Sequence, residues 1–195
     1  MNWKQFVFIV LIAYGAYHHF SQRAIEIPAG ALVKTLPEQA SADTTPFTFK
    51  TYTLTPLANF ELEARVLAQE TYTFDRGADL APVDLALGWG PMSDSHVLSQ
   101  IQISQGNRFY YWHVDAFPIP RQAIETHSAN MHMIPANPSI EAQLKALRTG
   151  QKIKLQGYLV QANAPDGFYW KSSLTRDDTG AGACELVFVK MLIVE

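Results

Sequence analysis

Along "NFELEARVLAQ" apolar and polar residues alternate, with Phe60, Leu62, Ala64, Val66 and Ala68 on one side and Glu61, Glu63, Arg65 and Gln69 on the other. A period of two predicts a half-buried strand. Residues 47–54, 108–114, 152–161, 168–174 and 185–194 also read as strands, being rich in aromatic or β-branched residues and bounded by turn formers. Six strands suffice for a small barrel or sandwich.

Helical signals interrupt this series. In "ANPSIEAQLKALRTG" Asn137 can cap, Pro138 suits the first helical position, Ile140, Leu144 and Leu147 form an apolar stripe, and Gly150 supplies a stop. A shorter helix is expected over 93–100, capped by Ser93 or Asp94, and a further turn over 120–126. Strands, a capped helix, then closing strands fit an OB-like barrel, whose helix lies between its third and fourth strands. Another small β-barrel or an α+β sandwich is the alternative. The expected fold class is thus mainly β (α+β).

The N-terminus has a different pattern. "MNWKQFVFIVLIAYGAYHHF" holds an uncharged apolar run over 6–17. At 1.5 Å per residue it spans roughly 18 to 22 Å, short of a ~30 Å hydrocarbon core, with Trp3, Tyr14 and Tyr17 placed to sit at the interfaces. Residues 1–22 are therefore expected to be a transmembrane helix acting as anchor, with a cleaved signal segment or a core helix as rival readings. Residues 23–46, rich in Ala, Pro, Ser and Thr, read as a linker, and 47–195 as the β-rich domain. Lys4 ahead of the run and only Arg23 soon after it favour an inner-membrane protein with one span and a periplasmic domain.

Composition narrows the function classes. A formal net charge of −3 gives no general attraction to phosphate backbones, so no nucleic-acid partner is expected. The local basic group Lys145, Arg148, Lys152 and Lys154 is followed closely by acids and reads as a solvated face. One cysteine, Cys184, excludes an internal disulfide and argues against structural zinc. His96, His113, His127 and His132 lack metal-binding spacing, and no metal or cofactor is expected.

Candidate chemistry concentrates in "WKSSLTRDDTGAGACELVFV". Cys184 could act as a nucleophile with His132, His127 or His113 as base, and Ser172 or Ser173 could do the same with a histidine, although neither serine stands in a Gly-x-Ser-x-Gly elbow. Asp178-Thr179-Gly180 matches the aspartic-protease tripeptide but lacks the apolar strand that should lead into it. The stretch reads as a loop between adjacent strands in which Arg176, Asp177 and Asp178 either clamp one another or present a recognition surface. Trp89, in a Gly-Pro turn that reads more readily as a packed loop than as a binding platform, and Trp112 are further binding candidates.

"DLALGWGPMSDSHVLSQIQISQGNRFYYW", "HSANMHMIPAN" and the stretch around Cys184 together resemble a family of bacterial proteins with one N-terminal membrane segment and no assigned activity. The resemblance implies an envelope-facing protein and transfers no catalytic residue. The function expected is a membrane-anchored binding or assembly module without catalytic activity, partnered by the membrane and by another envelope protein. A periplasmic hydrolase and an OB-type single-strand binder are the alternatives.

Overall fold

The computed structural model describes residues 2–21, 23–175 and 183–195. It is mainly β with short helices. In chain order come α1 (Trp3–Ser21), β1 (Glu38–Ser41), β2 (Phe47–Phe49), β3 (Tyr52–Thr71), β4 (Val83–Gly88), a 3-10 turn (Gly90–Ser93), α2 (Ser95–Leu98), β5 (Gln102–Gly106) and β6 (Phe109–His113). They are followed by α3 (Arg121–Thr126), β7 (Ser128–Pro135), α4 (Pro138–Lys145), β8 (Lys152–Asn163), β9 (Tyr169–Lys171) and β10 (Glu185–Val194). No helix among the described residues is long and apolar enough to cross a membrane. Along α1, Phe6, Phe8, Ile9, Leu11 and Ile12 are all exposed.

The long strand β3 organises the sheet. Its residues from Thr53 to Arg65 pair with β8, and those from Arg65 to Thr71 pair with β4. From β4 the pairings continue to β7, then to β10, which lies parallel to β7, and then to β8, which returns to β3. Alternate residues on these five strands meet in one core, among them Phe60, Leu62, Leu85, Met131, Leu155 and Val187. Ile140, Leu144 and Leu147, the stripe expected on α4, close one end of it.

Local chemistry explains the boundaries. Asn137 accepts from the Ile140 N–H at 3.0 Å and Pro138 begins α4; Asp94 caps α2 by accepting from the His96 N–H at 2.8 Å. Helix α4 ends earlier than expected, at Lys145, with Ala146 as its cap. Gly150 does not stop the helix but, at φ +97°, turns the chain where a Cβ would stand 2.3 Å from the Ile25 carbonyl oxygen. The strand expected over 47–54 is broken at Lys50, which takes φ +54°, so that β2 folds back on the start of β3. A bulge between Val66 and Ala68 breaks the expected alternation, placing Leu67 in a second apolar cluster with Ala86 and Met92.

Two further differences matter for the site. Strands β9 and β10 are not paired with each other: both pair with β8, β9 at Gln161–Asn163 and β10 at Leu159 and below, so they lie end to end along one edge. The segment read as a free linker lies on the domain. Val33 is 1% exposed within the main core, and β1 pairs with β3.

Candidate functional site

The site begins at a turn. Strands β5 and β6 form a hairpin with Gly106 paired to Phe109, leaving Asn107 and Arg108 as a two-residue connection. Both are left-handed, at φ +53° and +68°. Asn is common there, but the second place ordinarily belongs to Gly, and an arginine in it costs about 1 kcal/mol or more. Its neighbours hold it in place. The Arg108 N–H donates to the Tyr72 hydroxyl at 3.0 Å, and its carbonyl accepts from Asn130 Nδ2 at 3.0 Å. Tyr110 anchors the hairpin to β7 through Ser128, 2.9 Å from its hydroxyl. Burial pushes that phenol up to about 12, although the Ser128 hydrogen bond acts the other way, so the phenol stays neutral.

The Arg108 side chain reaches into a cluster of charges. One Nη donates to the Ala81 carbonyl and to Asp84 Oδ1, each at 2.8 Å; the other donates to both oxygens of Asp75, at 2.8 and 2.9 Å. The guanidinium lies 3.7 Å from the centre of the Tyr72 ring and 5.6 Å from that of Trp170. Asp84 is fully buried. Its Oδ1 is also 2.9 Å from Nδ1 of the buried His132, a contact out of line for a hydrogen bond, and its Oδ2 has no hydrogen-bond partner among the described residues. Burial pushes the Asp75 carboxyl up, but the hydrogen bonds and charge of Arg108, with the N–H groups of Gly77 and Ala78, hold it below the usual carboxylate range.

Two hollows flank this cluster and share Arg108 and Trp170 as their common ridge. One, of about 700 Å³, runs past Phe109, His132, Tyr169 and Leu174 to Cys184. The other, of about 680 Å³, runs past Tyr72, Phe74 and Phe168. Trp170 lies over His132 with ring centres 4.6 Å apart. Phe74 is 100% exposed, Tyr169 58% and Phe109 38%, so ring faces line a furrow that also carries three basic side chains: Arg108, met by Asp75 and Asp84, Arg76, met by Asp166 at 2.8 Å, and Lys171.

The structure brings only some of the expected residues here. His132 forms part of the floor, and Cys184, Ser172 and Ser173 line the same hollow. The serines are occupied with main chain: Ser172 Oγ donates to the Ser173 carbonyl at 2.7 Å and accepts from the Leu186 N–H at 3.0 Å, while the Ser173 hydroxyl donates to the Thr175 carbonyl at 3.2 Å. Cys184 Sγ stands 3.8 Å from Asn130 Nδ2 and 4.0 Å from the Arg108 carbonyl. Trp89 is 1% exposed within the main core and presents no face to a ligand, so its turn is a packed loop and the indole is set aside as a binding candidate. Trp112 packs on the far side of the hairpin, with Phe117 at 6.1 Å and Arg121 at 5.9 Å. Arg176, Asp177 and Asp178 lie outside the described residues. No group of His, Cys, Asp and Glu among the described residues could hold a metal ion.

Sequence reasoning passed over Asp75, Asp84, Arg108, Tyr169 and Trp170. One signal was available: "GNR" between the alternating run "IQISQ" and the aromatic run "FYYW" reads as a tight hairpin turn with an arginine where Gly is usual. Comparison with protein-family models, with curated proteins and with solved structures returns no match.

Proposed function

We propose that the chain is a membrane-anchored, envelope-facing binding module with an OB-type barrel, and that its ligand lies in the furrow crossed by Arg108 and Trp170. The returning order of pairings, with a parallel third and fifth strand and α4 between the third and fourth, supports the barrel. The observation that carries the reading is the furrow's position. His132 of β7 floors it, Asp84 of β4 lies beneath its ridge, and residues 71–77, 168–174 and Cys184 wall it. OB folds take oligonucleotides and oligosaccharides at the equivalent place, and this is an argument from fold. The exposed apolar run of α1, with Trp3 and Tyr17 near its ends, supports the anchor.

Charge selects between the two ligand classes. Single-strand binders combine aromatic rings with a positive groove. Here the Arg108 guanidinium is answered by Asp75 and Asp84 and that of Arg76 by Asp166, which leaves Lys171 as the one lining cation without a carboxylate among the described residues, and the whole chain is at −3. Ring faces whose arginines are already held by carboxylates suit an uncharged oligosaccharide, whose pyranose faces stack on them. Calorimetric titration of the full chain with N-acetylglucosamine oligomers and with oligothymidylate tests this. Saturable binding of the sugar with little dependence on salt is expected. Tighter binding of the oligonucleotide, weakening steeply with salt, would reverse the assignment.

A further inference from the structure

Residues 23–41 bear on how the domain is mounted. The Ile25 N–H donates to the Thr149 carbonyl at 2.8 Å, and Gly150 leaves room for the Ile25 main chain. Further on, the Gly30 N–H donates to Asp94 at 3.0 Å, and Ala31 forms a bridge with the same residue. The Val33 N–H donates to Ser93 Oγ at 2.9 Å, its carbonyl accepts from the Gly90 N–H at 2.8 Å, and its side chain is buried. Strand β1 then pairs with β3. The segment is a strap laid on the domain from Ile25 onward.

We propose that this strap seats the turn 146–150 on the surface of the bilayer that holds α1, with Arg148 against anionic lipid headgroups, so that the furrow faces away from the membrane. The proposal rests on the anchor reading above. Chain length carries it: α1 ends at Ser21 and the docked chain begins at Ile25, four Cα steps that span at most about 14 Å. Charge agrees with it. Arg148 makes no ion pair among the described residues, whereas its neighbours Lys145 and Lys152 pair with Glu141 and Glu195. A guanidinium without a carboxylate beside a membrane suits a lipid phosphate. Strand β8 starts two residues past the turn and runs to Asn163, which pairs with β9 beside the furrow. At 3.3 Å per residue that end lies roughly 35 Å along the strand from the seat.

The test uses the full chain in nanodiscs containing phosphatidylglycerol and a nickel-chelating lipid, in a Cys184→Ser background, with a nitroxide at Thr149→Cys or at Pro165→Cys. The Thr149 label should collide with headgroup nickel at least five times as strongly as the Pro165 label. Inserting six Gly/Ser residues between Arg23 and Ala24 should bring the first value down towards the second. Arg148→Ala should lower it about twofold, and no change would remove the headgroup from the proposal. A chain that co-purifies with discs but gives equal signals at both positions overturns the seating alone. A chain that fails to enter discs overturns the anchor and the seating with it.

Discussion

On the outside of β3 and β8, Lys154 stands 2.8 Å from Glu61 and Lys152 2.7 Å from Glu195, with side chains between 23% and 48% exposed. At the furrow Arg108 makes a contact of the same length with Asp84, yet Arg108 is 18% exposed and Asp84 not at all. The geometry is alike and the solvent is not. Where water reaches both partners it offsets most of the attraction, and such pairs are worth about 0 to 1 kcal/mol. Where one carboxylate is sealed, removing its partner leaves a charge with nothing to stabilise it. The outer pairs dress a surface, whereas the inner group fixes a hairpin, a loop and a strand around the furrow.

The sharpest break in this comparison is Arg108→Ala. It strands Asp84 and should lower unfolding free energy by about 3 to 5 kcal/mol, read from urea denaturation. It also removes a side chain from a left-handed turn without relieving the strain, so Arg108→Gly should be the less damaging of the two. A loss below about 1 kcal/mol for the alanine variant would mean that Asp84 is reached by water and that the two regions do not differ.

Acid sharpens the same contrast. The Asp75 carboxyl is held below its ordinary range in the fold, so its contribution is complete above the unfolded value near 4 and is lost as pH falls through the folded one. Its side chain is 42% exposed, so solvent limits the effect to no more than about 1 kcal/mol. Melting temperature followed from pH 5 to pH 2 should show this decline in the parent chain and a shallower one in Arg108→Ala. Equal slopes would detach Asp75 from Arg108.

Lys154→Ala gives the smallest expected change. The Lys154 hydrogen bond is the main reason that Glu61 sits below its usual range, but both side chains are about a third exposed. The unfolding midpoint should move only slightly in dilute buffer and not at all in 1 M salt. A drop as large as that of Arg108→Ala would place this outer pair in the same class as the inner one.

How much of this was legible depended on which contacts are local. The β10 boundaries and the Asn137-Pro138 and Asp94 caps follow from neighbours in sequence, and each was read from them. Strands β4 and β7 were not read, because "VDLALG" is buried on both faces and shows no alternation, and "SANMHMIP" is nearly so. The furrow was hidden for a related reason. Asp75, Asp84, Arg108, His132 and Trp170 come from separate elements, and only the sheet register brings them together. Trp89 was named as a binding candidate although its Gly-Pro turn reads more readily as a packed loop, and the fold turns its indole inward.

The central claim is that the furrow under Trp170 takes an uncharged ring-bearing chain. The four tryptophans, Trp3, Trp89, Trp112 and Trp170, offer one indole N–H each as a reporter in the full chain. Proton–nitrogen correlation spectra recorded during titration with an N-acetylglucosamine tetramer should shift the Trp170 signal in proportion to occupancy while leaving the buried Trp89 and the distant Trp112 in place. Shifts confined to Trp112 or Trp3, or no shift at any indole up to millimolar sugar, would contradict the account.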